Sequence, residues 1–352
     1  MRKKLISFSI CILFLVSAVT VNFPNNLLVS KAVGSYEPWH FIALGDTRNW
    51  WPDDTNILRE VILDDVFISN PNLEFILHTG DMTNNGGEQR DWDLYYEDID
   101  LHVENNVTFY YTVGNHETYT YPLPDGSYGP PELNFSTYMA NVEMPGNERY
   151  YSFDHKGIHF IFINTDEYWI HEGAYEFDIT TEQKDWIIND LASNTMNFTI
   201  ASFHRPCYSV RSESRYLQAN VIRKVLEPIL IEFGVDLVFS GHDHYYYNTK
   251  RKGIQHIVTG GAGAPLADTG FTGHALVADR YFSKYHYCNV TVTEEVITID
   301  AHAYYEESGN KSIDDTITMY LKEPSKTRIS YFFGFTVVLF WVIPHLRKKI
   351  KK

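Results

Sequence analysis

The sequence predicts an α/β protein, a four-layer α/β/β/α sandwich of two mixed β-sheets flanked by helices, with a transmembrane helix after it. Three observations support this prediction. Short apolar runs alternate with helical patterns in the order βαβαβ, and hairpin patterns follow. Aspartate, asparagine or histidine comes soon after most of these runs. Near the C-terminus, residues 329–346 are almost wholly apolar.

The N-terminal part of the main domain contains three predicted strands and two predicted helices. The strands are His40–Leu44, Phe75–Leu77 and Thr108–Val113, and the helices are Asn56–Ile68 and Trp92–Val103. The first helix has apolar residues at helical spacing, whereas the second is mostly polar.

The next stretch, Thr118–Glu148, is predicted to be a long loop that leaves the end of a strand. Several tyrosines lie in it, and prolines interrupt any continuous regular element. These prolines are Pro122, Pro124, Pro130, Pro131 and Pro145.

The second half of the chain predicts hairpins and helices. The predicted strands are Tyr150–Asp154, Ile158–Asn164, Phe198–Phe203, Leu237–Ser240 and Ile254–Thr259. The predicted helices are Thr181–Ser193, with Thr181 as its N-cap, and Leu217–Phe233. The alternating segments Tyr285–Val292 and Val296–Ala303 are expected to form the closing hairpin of the second sheet.

Both ends of the chain predict membrane-related segments. A basic start followed by an apolar run indicates a signal peptide, or an uncleaved N-terminal anchor, with a spacer over residues 1–32. Residues 329–346 are just long enough to span a bilayer, although a buried C-terminal helix is the alternative. The basic tail 347–352 is then cytoplasmic by the positive-inside rule. The main domain at 39–303 and a juxtamembrane connector at 304–328 would lie outside the cell membrane.

Composition excludes one class of function and leaves other questions open. A net charge of −16 over 352 residues argues against a general nucleic-acid binder, which needs a basic surface. Cys207 and Cys288 either form a disulfide or remain thiols, and the sequence does not decide this or the oligomeric state. Five sequons fit an extracellular glycoprotein: Asn106, Asn134, Asn197, Asn289 and Asn310.

Oxygen and imidazole donors occur in five short motifs, most of them after predicted strands. They are Asp46 and Asp81, each in Gly-Asp, Asn115 and His116 in Gly-Asn-His-Glu, His204 in Phe-His-Arg, and His242 and His244 in Gly-His-Asp-His. Any one of them alone could be a turn residue or a structural histidine. Together they are expected at the carboxyl edge of one sheet, where α/β folds keep their sites. Such donors suit Fe, Mn, Zn or Ni and disfavour Cu(I).

In this order, the motifs resemble those of the calcineurin-like metallophosphoesterase superfamily, and they look closest to its purple acid phosphatase-like branch. The resemblance extends from about Trp39 to Ala303 and includes the hairpin around Tyr150–Asp154 and the segment Asp236–His244. It implies that residues 39–303 are a metallophosphoesterase catalytic domain. The implied reaction is metal-dependent hydrolysis of a phosphate ester by a metal-activated hydroxide at a dinuclear site.

The resemblance also implies a role for each donor. Asp81 would bridge two divalent or trivalent transition-metal ions. The shell of one ion would be completed by Asn115, His204 and His242. The other ion would be held by Asp46 and His244. His116 would lie beside the substrate phosphate, where it would stabilise the transition state or protonate the leaving oxygen.

The sequence departs from the family pattern at Arg48. Many family members have a histidine ligand there, and purple acid phosphatases instead have a tyrosine ligand at the position of Asn84. Because a guanidinium stays protonated, Arg48 cannot be a ligand, and the Asp46/His244 ion is expected to bind more weakly. Arg48 would either clamp phosphate oxygens, which makes it a candidate catalytic residue, or pair with an acidic neighbour. Arg205 would either contact phosphate or form a surface ion pair.

The leading hypothesis is a single-pass membrane phosphatase whose catalytic domain faces outward and acts on small phosphate esters. A phosphodiesterase or nucleotide hydrolase of the same fold is equally consistent with the motifs. The alternative from another class is a non-catalytic, metal-bound surface protein that binds a partner through the loop Thr118–Glu148. His116 favours the enzyme, because a purely structural metal site has no use for it. At least one of the tyrosines Tyr245–Tyr247 is expected to face the cleft.

Overall fold

The computed structural model describes residues 36–48, 57–118, 131–171, 174–177, 179–267, 278–305 and 310–321. These residues form an α/β fold with two mixed sheets, which confirms the predicted class. In this part of the chain no helix is both long and apolar enough to cross a membrane. The predicted segments 1–32, 329–346 and 347–352 lie outside the described residues.

The first half of the described chain contains the three predicted strands with helices between and after them. The elements are β1 (Trp39–Leu44), α1 (Ile57–Ser69), β2 (Leu73–His78), α2 (Gln89–Asp98), α3 (Asp100–Glu104), β3 (Thr108–Tyr111), α4 (Asn115–Thr118) and α5 (Pro131–Asn141). The single predicted helix Trp92–Val103 is therefore two helices, α2 and α3.

The second half contains the predicted hairpins and helices together with several shorter strands. Its first elements are β4 (Tyr151–His155), β5 (Ile158–Ile163), β6 (Tyr168–His171), β7 (Ala174–Phe177), α6 (Thr181–Ser193), β8 (Phe198–Phe203) and α7 (Glu213–Glu232). The remaining elements are β9 (Leu237–Ser240), β10 (Tyr246–Arg251), β11 (Ile254–Thr259), β12 (Arg280–Phe282), β13 (His286–Val292), β14 (Val296–Tyr304) and β15 (Lys311–Tyr320).

The first sheet has the strand order β15-β14-β13-β1-β2-β3. Strands β1, β2 and β3 are parallel, whereas β13 pairs with β1 in antiparallel register. The expectation that the closing hairpin belongs to the second sheet was therefore wrong. Alternation identifies a strand with one buried face, but it does not say which sheet edge the strand joins.

The second sheet has the order β12-β10-β11-β9-β8-β5-β4, and β5, β8, β9 and β11 run parallel. Buried rings from both sheets meet between them, with Phe41 on β1 and Phe160 on β5 packed 5.5 Å apart between centroids. Two further cores contain buried side chains of the helices and of the sheets that they cover, one under α1 and α2 and one under α6 and α7. Three cores of this kind fit the predicted helix–sheet–sheet–helix layering.

Three local expectations need correction. Within the predicted loop Thr118–Glu148, residues Pro131–Asn141 form α5, because a proline at the first position of a helix costs no hydrogen bond. The N-cap of α6 is Thr180, whose side chain accepts from the backbone N–H of Gln183. Strand β15 lies inside the predicted connector 304–328, so the first sheet continues beyond the predicted boundary at residue 303.

Cys207 and Cys288 are both buried free thiols, so the disulfide that the sequence left open is not formed. Cys288 on β13 lies in the core between the sheets, whereas Cys207 lies in the core under α6 and α7. Because both thiols are surrounded by apolar groups, burial raises the pKa of each well above its usual range.

Candidate metal centre

The strand ends of both sheets carry the candidate ligands. Asp46 and Asp81 follow β1 and β2 in the first sheet, and His204 follows β8 in the second. His242 and His244 come after β9, and Asn115 begins α4 just after β3. The site therefore lies where carboxyl ends of parallel strands from two sheets meet, rather than at the edge of one sheet.

Two groups of donors lie close enough together to hold a metal ion. One contains Asp81, His204 and His242, and the other contains Asp46, Asp81 and His244. Within each group the donor atoms lie within 4.8 Å of one another, and all these side chains are buried. Asp81 belongs to both groups, as expected for a carboxylate that bridges two ions.

Direct contacts bring the sequence-predicted donors together around His204. Its Nε2 lies 3.2 Å from Oδ1 of Asp81, 3.2 Å from Oδ1 of Asn115 and 3.2 Å from Nδ1 of His242. On the other side of Asp81, Nε2 of His244 lies 3.4 Å from Oδ1 of Asp46. The structure therefore gathers all six predicted ligands into one site.

Backbone carbonyls orient two of the imidazoles. Nδ1 of His204 lies 2.8 Å from the carbonyl oxygen of Thr79, and Nδ1 of His244 lies 2.7 Å from that of Pro265. A carbonyl only accepts, so each Nδ1 carries a proton, and in the neutral imidazole the lone pair of Nε2 is left for the donor group. Histidines that ligate metals are usually held in this way, so these residues fit a metal centre.

The charges of the site also suit a bound cation. Burial alone would lower the pKa of His204, but the Asp81 carboxylate outweighs it and raises that pKa to about 10. An imidazolium is thus stabilised among the carboxylates. A metal ion bound there would satisfy the same negative field and would require His204 to be neutral.

The backbone at three ligand positions adopts the left-handed conformation. The φ angles are 55° at Asp46, 57° at Asp81 and 69° at His242. Such values are uncommon for residues other than glycine and cluster at functional sites. The glycine before His242 is required by space, because a Cβ at Gly241 would overlap the Asp46 carboxylate.

Sequence reasoning assigned no role to Glu117, although it lies in the Gly-Asn-His-Glu motif. Its buried carboxylate accepts hydrogen bonds from the backbone N–H groups of Asp81 at 2.9 Å, Gly114 at 2.8 Å and Met82 at 2.8 Å. Glu117 therefore joins the loops after β2 and β3 and holds Asp81 in place. The acidic residue directly after Asn-His was the feature of the sequence that could have identified this role.

Gln218 on α7 was missed because nothing in the sequence connects it with the motifs. Its Oε1 lies 3.1 Å from Nε2 of His242 and 3.2 Å from Nη1 of Arg205. Nη1 of Arg205 also lies 2.8 Å from Nε2 of His242, and because a guanidinium only donates, this nitrogen accepts from Arg205. Gln218 lies next to both partners of this hydrogen bond, and Nδ1 of His242 faces His204.

His116 is near Asp81 but belongs to neither group of donors. Its Nδ1 lies 2.7 Å from the carbonyl oxygen of Asn84, and its Nε2 lies 3.9 Å from Oδ2 of Asp81. Burial lowers the pKa of His116 to about 4, against the opposing effect of the Asp81 carboxylate. An anionic phosphate bound beside it would favour the protonated form.

Arg48 is buried next to the same carboxylate. Its Nε lies 3.8 Å from Oδ2 of Asp81, and its Nη1 donates to Oδ1 of Asn84 at 3.2 Å. This position fits the alternative in which Arg48 pairs with an acidic neighbour, although 3.8 Å is too long for a direct hydrogen bond. The guanidinium also remains within reach of a group bound between Asp81 and His116.

Two other expectations about the cleft change. Arg205 is buried, and its Nε lies 2.6 Å from Oδ1 of Asp166, so it forms an interior ion pair rather than a surface one. Tyr245, Tyr246 and Tyr247 are all fully buried, so the expectation that one of them faces the cleft was wrong. Their side chains alternate, because Tyr246 lies in the core between the sheets and its two neighbours lie in the core under α6 and α7.

Fold and site together define a metallohydrolase-type α/β protein with two adjoining groups of metal donors at strand ends. The sequence profile of the calcineurin-like phosphoesterase family matches residues 40–246, which is more than half of the chain. The chain therefore belongs to the calcineurin-like phosphoesterase family, a class of phosphoric ester hydrolases, and its relatives support the purple acid phosphatase-like branch.

Two curated relatives illustrate this relationship. Purple acid phosphatase 15 of Arabidopsis thaliana is 34% identical over 127 residues, or 33% of this chain and 22% of the relative. Acid phosphatase type 7 of Mus musculus is 27% identical over 285 residues, or 65% of this chain and 60% of the relative. The chain thus spans less than two thirds of the length of either relative.

A solved structure shares the fold. The purple acid phosphatase PPD1 from yellow lupin seeds superposes with a TM-score of 0.63 at 18% sequence identity, covering 82% of this chain and 54% of that one. At this identity the likeness concerns the fold alone.

Proposed function

We propose that this protein hydrolyses small phosphate esters at a centre of two metal ions on the outer face of a membrane. One observation carries the proposal. Asp81 belongs to both groups of candidate ligands, and His116 lies beside it without belonging to either. An acid–base group next to a bridged pair of metal sites suits phosphoryl chemistry and has no use in a purely structural site.

The donors fall into two shells. The first ion would be held by Asp81, Asn115, His204 and His242, and the second by Asp46, Asp81 and His244. When bound, such ions act as Lewis acids that lower the pKa of water and neutralise phosphoryl oxygens. The first ion would have four protein ligands and the second only three, so we expect the second ion to exchange more readily.

The chain's own side chains would bind the phosphate and move the proton. Nδ1 of His116 is held by the carbonyl of Asn84, so Nε2 is the atom directed toward Asp81. A proton on that atom would pass to the oxygen of the leaving alcohol as the ester bond breaks. Arg48, within 4 Å of Asp81, would bind phosphate oxygens through its planar guanidinium.

The direct test is metal analysis of the full-length protein beside a substrate screen. The protein, purified in detergent, would be loaded with Mn, Fe, Zn or Ni and assayed with phosphomonoesters, phosphodiesters and nucleotides. We expect two metal equivalents and phosphate release with at least one metal. Metal binding without hydrolysis of any substrate would overturn the enzyme proposal and favour a metal-bound binding protein.

The membrane location is a separate proposal that depends on the apolar segment 329–346 and the basic tail after it. Exposed asparagines at three sequons, Asn106, Asn197 and Asn310, fit an external glycoprotein. Asn289 fits less well, because its side-chain amide donates to Asn70 at 3.1 Å. The test is to extract membranes that contain the full-length protein with carbonate. Release of the protein from the membranes would overturn this location.

A further inference from the structure

Two arginines form one wall beside the candidate metal centre. Arg211 lies in the loop that follows β8, and Arg215 lies in the first turn of α7. Both side chains are half-buried and reach solvent in part, unlike the buried Arg48 and Arg205. The wall is therefore open to solvent as well as close to the ligands.

Contacts tie this wall to His242. Nη1 of Arg211 lies 3.4 Å from the carbonyl oxygen of His242. Nη1 of Arg215 lies 3.2 Å from Oε1 of Gln218, and the same oxygen lies 3.1 Å from Nε2 of His242. Arg211 thus contacts the backbone of a candidate metal ligand directly, and Arg215 is linked to the same ligand through Gln218.

The wall places two positive charges beside one candidate ligand of the metal centre, His242. In a chain with a net charge of −16, such a local excess of cations is contrary to the overall composition.

Acidic partners neutralise this wall only in part. Among the described residues no carboxylate forms an ion pair with Arg211, and Arg215 pairs only with Asp243. Oδ1 of Asp243 lies 3.8 Å from Nε of Arg215, which is too long for a hydrogen bond. Arg205 differs, because Asp166 neutralises it at 2.6 Å. Arg211 and Arg215 can therefore bind an additional anion.

We infer that Arg211 and Arg215 form a subsite for a second phosphate group, next to the phosphate that is hydrolysed. This inference rests on the proposed hydrolase function and names its substrate class: phosphoanhydrides such as pyrophosphate or a nucleoside diphosphate. Arginine suits this task because its planar donors match phosphate oxygens. A monoester with an uncharged leaving group would leave the subsite without a ligand.

The reaction balances with water as the only co-substrate. The water oxygen forms a bond to the terminal phosphorus, and the bond from that phosphorus to the bridging oxygen breaks. The bridging oxygen keeps the bonding electrons and leaves with the second phosphate, and the two protons of water are shared between the two products or released. Arg211 and Arg215 would stabilise the charge that develops on the leaving phosphate.

The test compares two substrates in the full-length, metal-loaded protein. kcat/KM would be measured for pyrophosphate and for phenyl phosphate in the wild type, in Arg211→Gln, in Arg215→Gln and in the double variant. We expect the ratio of pyrophosphate to phenyl phosphate to fall about tenfold or more in the double variant, the size of effect that lost charge-assisted hydrogen bonds produce. Arg215→Lys should restore part of the ratio.

A matched control lies on the same helix. Arg223 also carries a guanidinium on α7, but it donates to the carbonyl of Cys207, outside the site. Arg223→Gln should keep the substrate ratio within about twofold. An unchanged ratio in the double variant, with phenyl phosphate still hydrolysed, would overturn the inference while the proposed hydrolase function stands.

A binding measurement decides the case in which no substrate is turned over. The affinity of the full-length protein for methylenediphosphonate and for methylphosphonate would be measured by calorimetry. We expect the wild type to prefer the diphosphonate and the double variant to lose most of that preference. If the wild type and the double variant prefer the diphosphonate over methylphosphonate to the same extent, the proposed subsite is overturned, whatever the catalytic activity.

Discussion

Arg48 donates a hydrogen bond from Nη1 to Oδ1 of Asn84, with 3.2 Å between the two atoms. These are the two positions at which the sequence departs from the ligand pattern that its resemblance to the family implies. A cation and an amide thus contact each other beside Asp81. The two departures are therefore structurally coupled.

This coupling predicts how the second metal shell responds to mutation. Arg48→His removes a positive charge and offers an imidazole near Asp46 and His244, so the second ion should be retained more tightly. Metal content after dialysis against a weak chelator should rise toward two equivalents. Arg48→Gln is the matched control, because it removes the charge without adding a ligand. Identical metal content in the two variants would contradict a ligand role for the introduced imidazole.

Substitution of His116 should reduce catalysis without changing metal binding. His116→Ala should lower kcat by about 10²- to 10⁴-fold, the usual contribution of a positioned acid–base group. Metal content should not change, because His116 lies outside both donor groups. Rate and metal content would be measured on the same preparation, with His155→Ala as a control in the β4–β5 hairpin. Full activity in His116→Ala would remove this residue from the mechanism.

Glu117 should be required for stability as well as for the position of Asp81. In the wild type, backbone N–H groups donate to both oxygens of the Glu117 carboxylate. In Glu117→Gln an NH₂ group replaces one of these oxygens and cannot accept, so two buried hydrogen bonds are lost. We expect the free energy of unfolding to fall by about 3 kcal/mol. Urea denaturation would measure it.

The control for this variant is Glu74→Gln, which changes a half-exposed carboxylate on β2 that pairs with Lys156. Its effect should stay below about 1 kcal/mol, as is usual for exposed ion pairs. An equally small effect of Glu117→Gln would show that its carboxylate does not hold the two loops together.

Much of the metal centre could be predicted from the sequence because its ligands follow strands. In a βαβαβ order the parallel strands end at one edge, so Asp46 and Asp81 had to meet there. The groups that orient the ligands could not be predicted in this way. The Thr79 carbonyl that fixes His204 is 125 residues from it in sequence, and only the packing of the two sheets brings them together.

The fold was predictable to a similar extent. Apolar runs gave the strands, and β8, β9 and β11 have the predicted bounds. The pairing of β13 with β1 was not predictable, because each strand edge offers the same backbone groups. Nor was α5, since its first proline resembles a helix breaker until the start of the helix is known.

A buried histidine far from the metal centre should make stability depend on pH. His159 on β5 has Nδ1 2.7 Å from Oδ1 of Asp154 and Nε2 2.8 Å from Oδ2 of Asp190. Burial alone would lower the pKa of His159, but hydrogen bonds to the two carboxylates outweigh it and raise that pKa above 6.5. The folded protein therefore binds the proton more tightly than the unfolded chain.

The sign of the effect follows from this difference. A raised histidine pKa contributes stability below pH 6.5, and that contribution is lost as the pH rises through the folded-state pKa. His159→Gln should therefore lower the free energy of unfolding by about 1–2 kcal/mol at pH 5.5 and by clearly less at pH 9. His155→Gln is the control, because burial lowers the pKa of His155 on the same hairpin. Equal losses for His159→Gln at the two pH values would show that the neutral imidazole packs as well as the charged one.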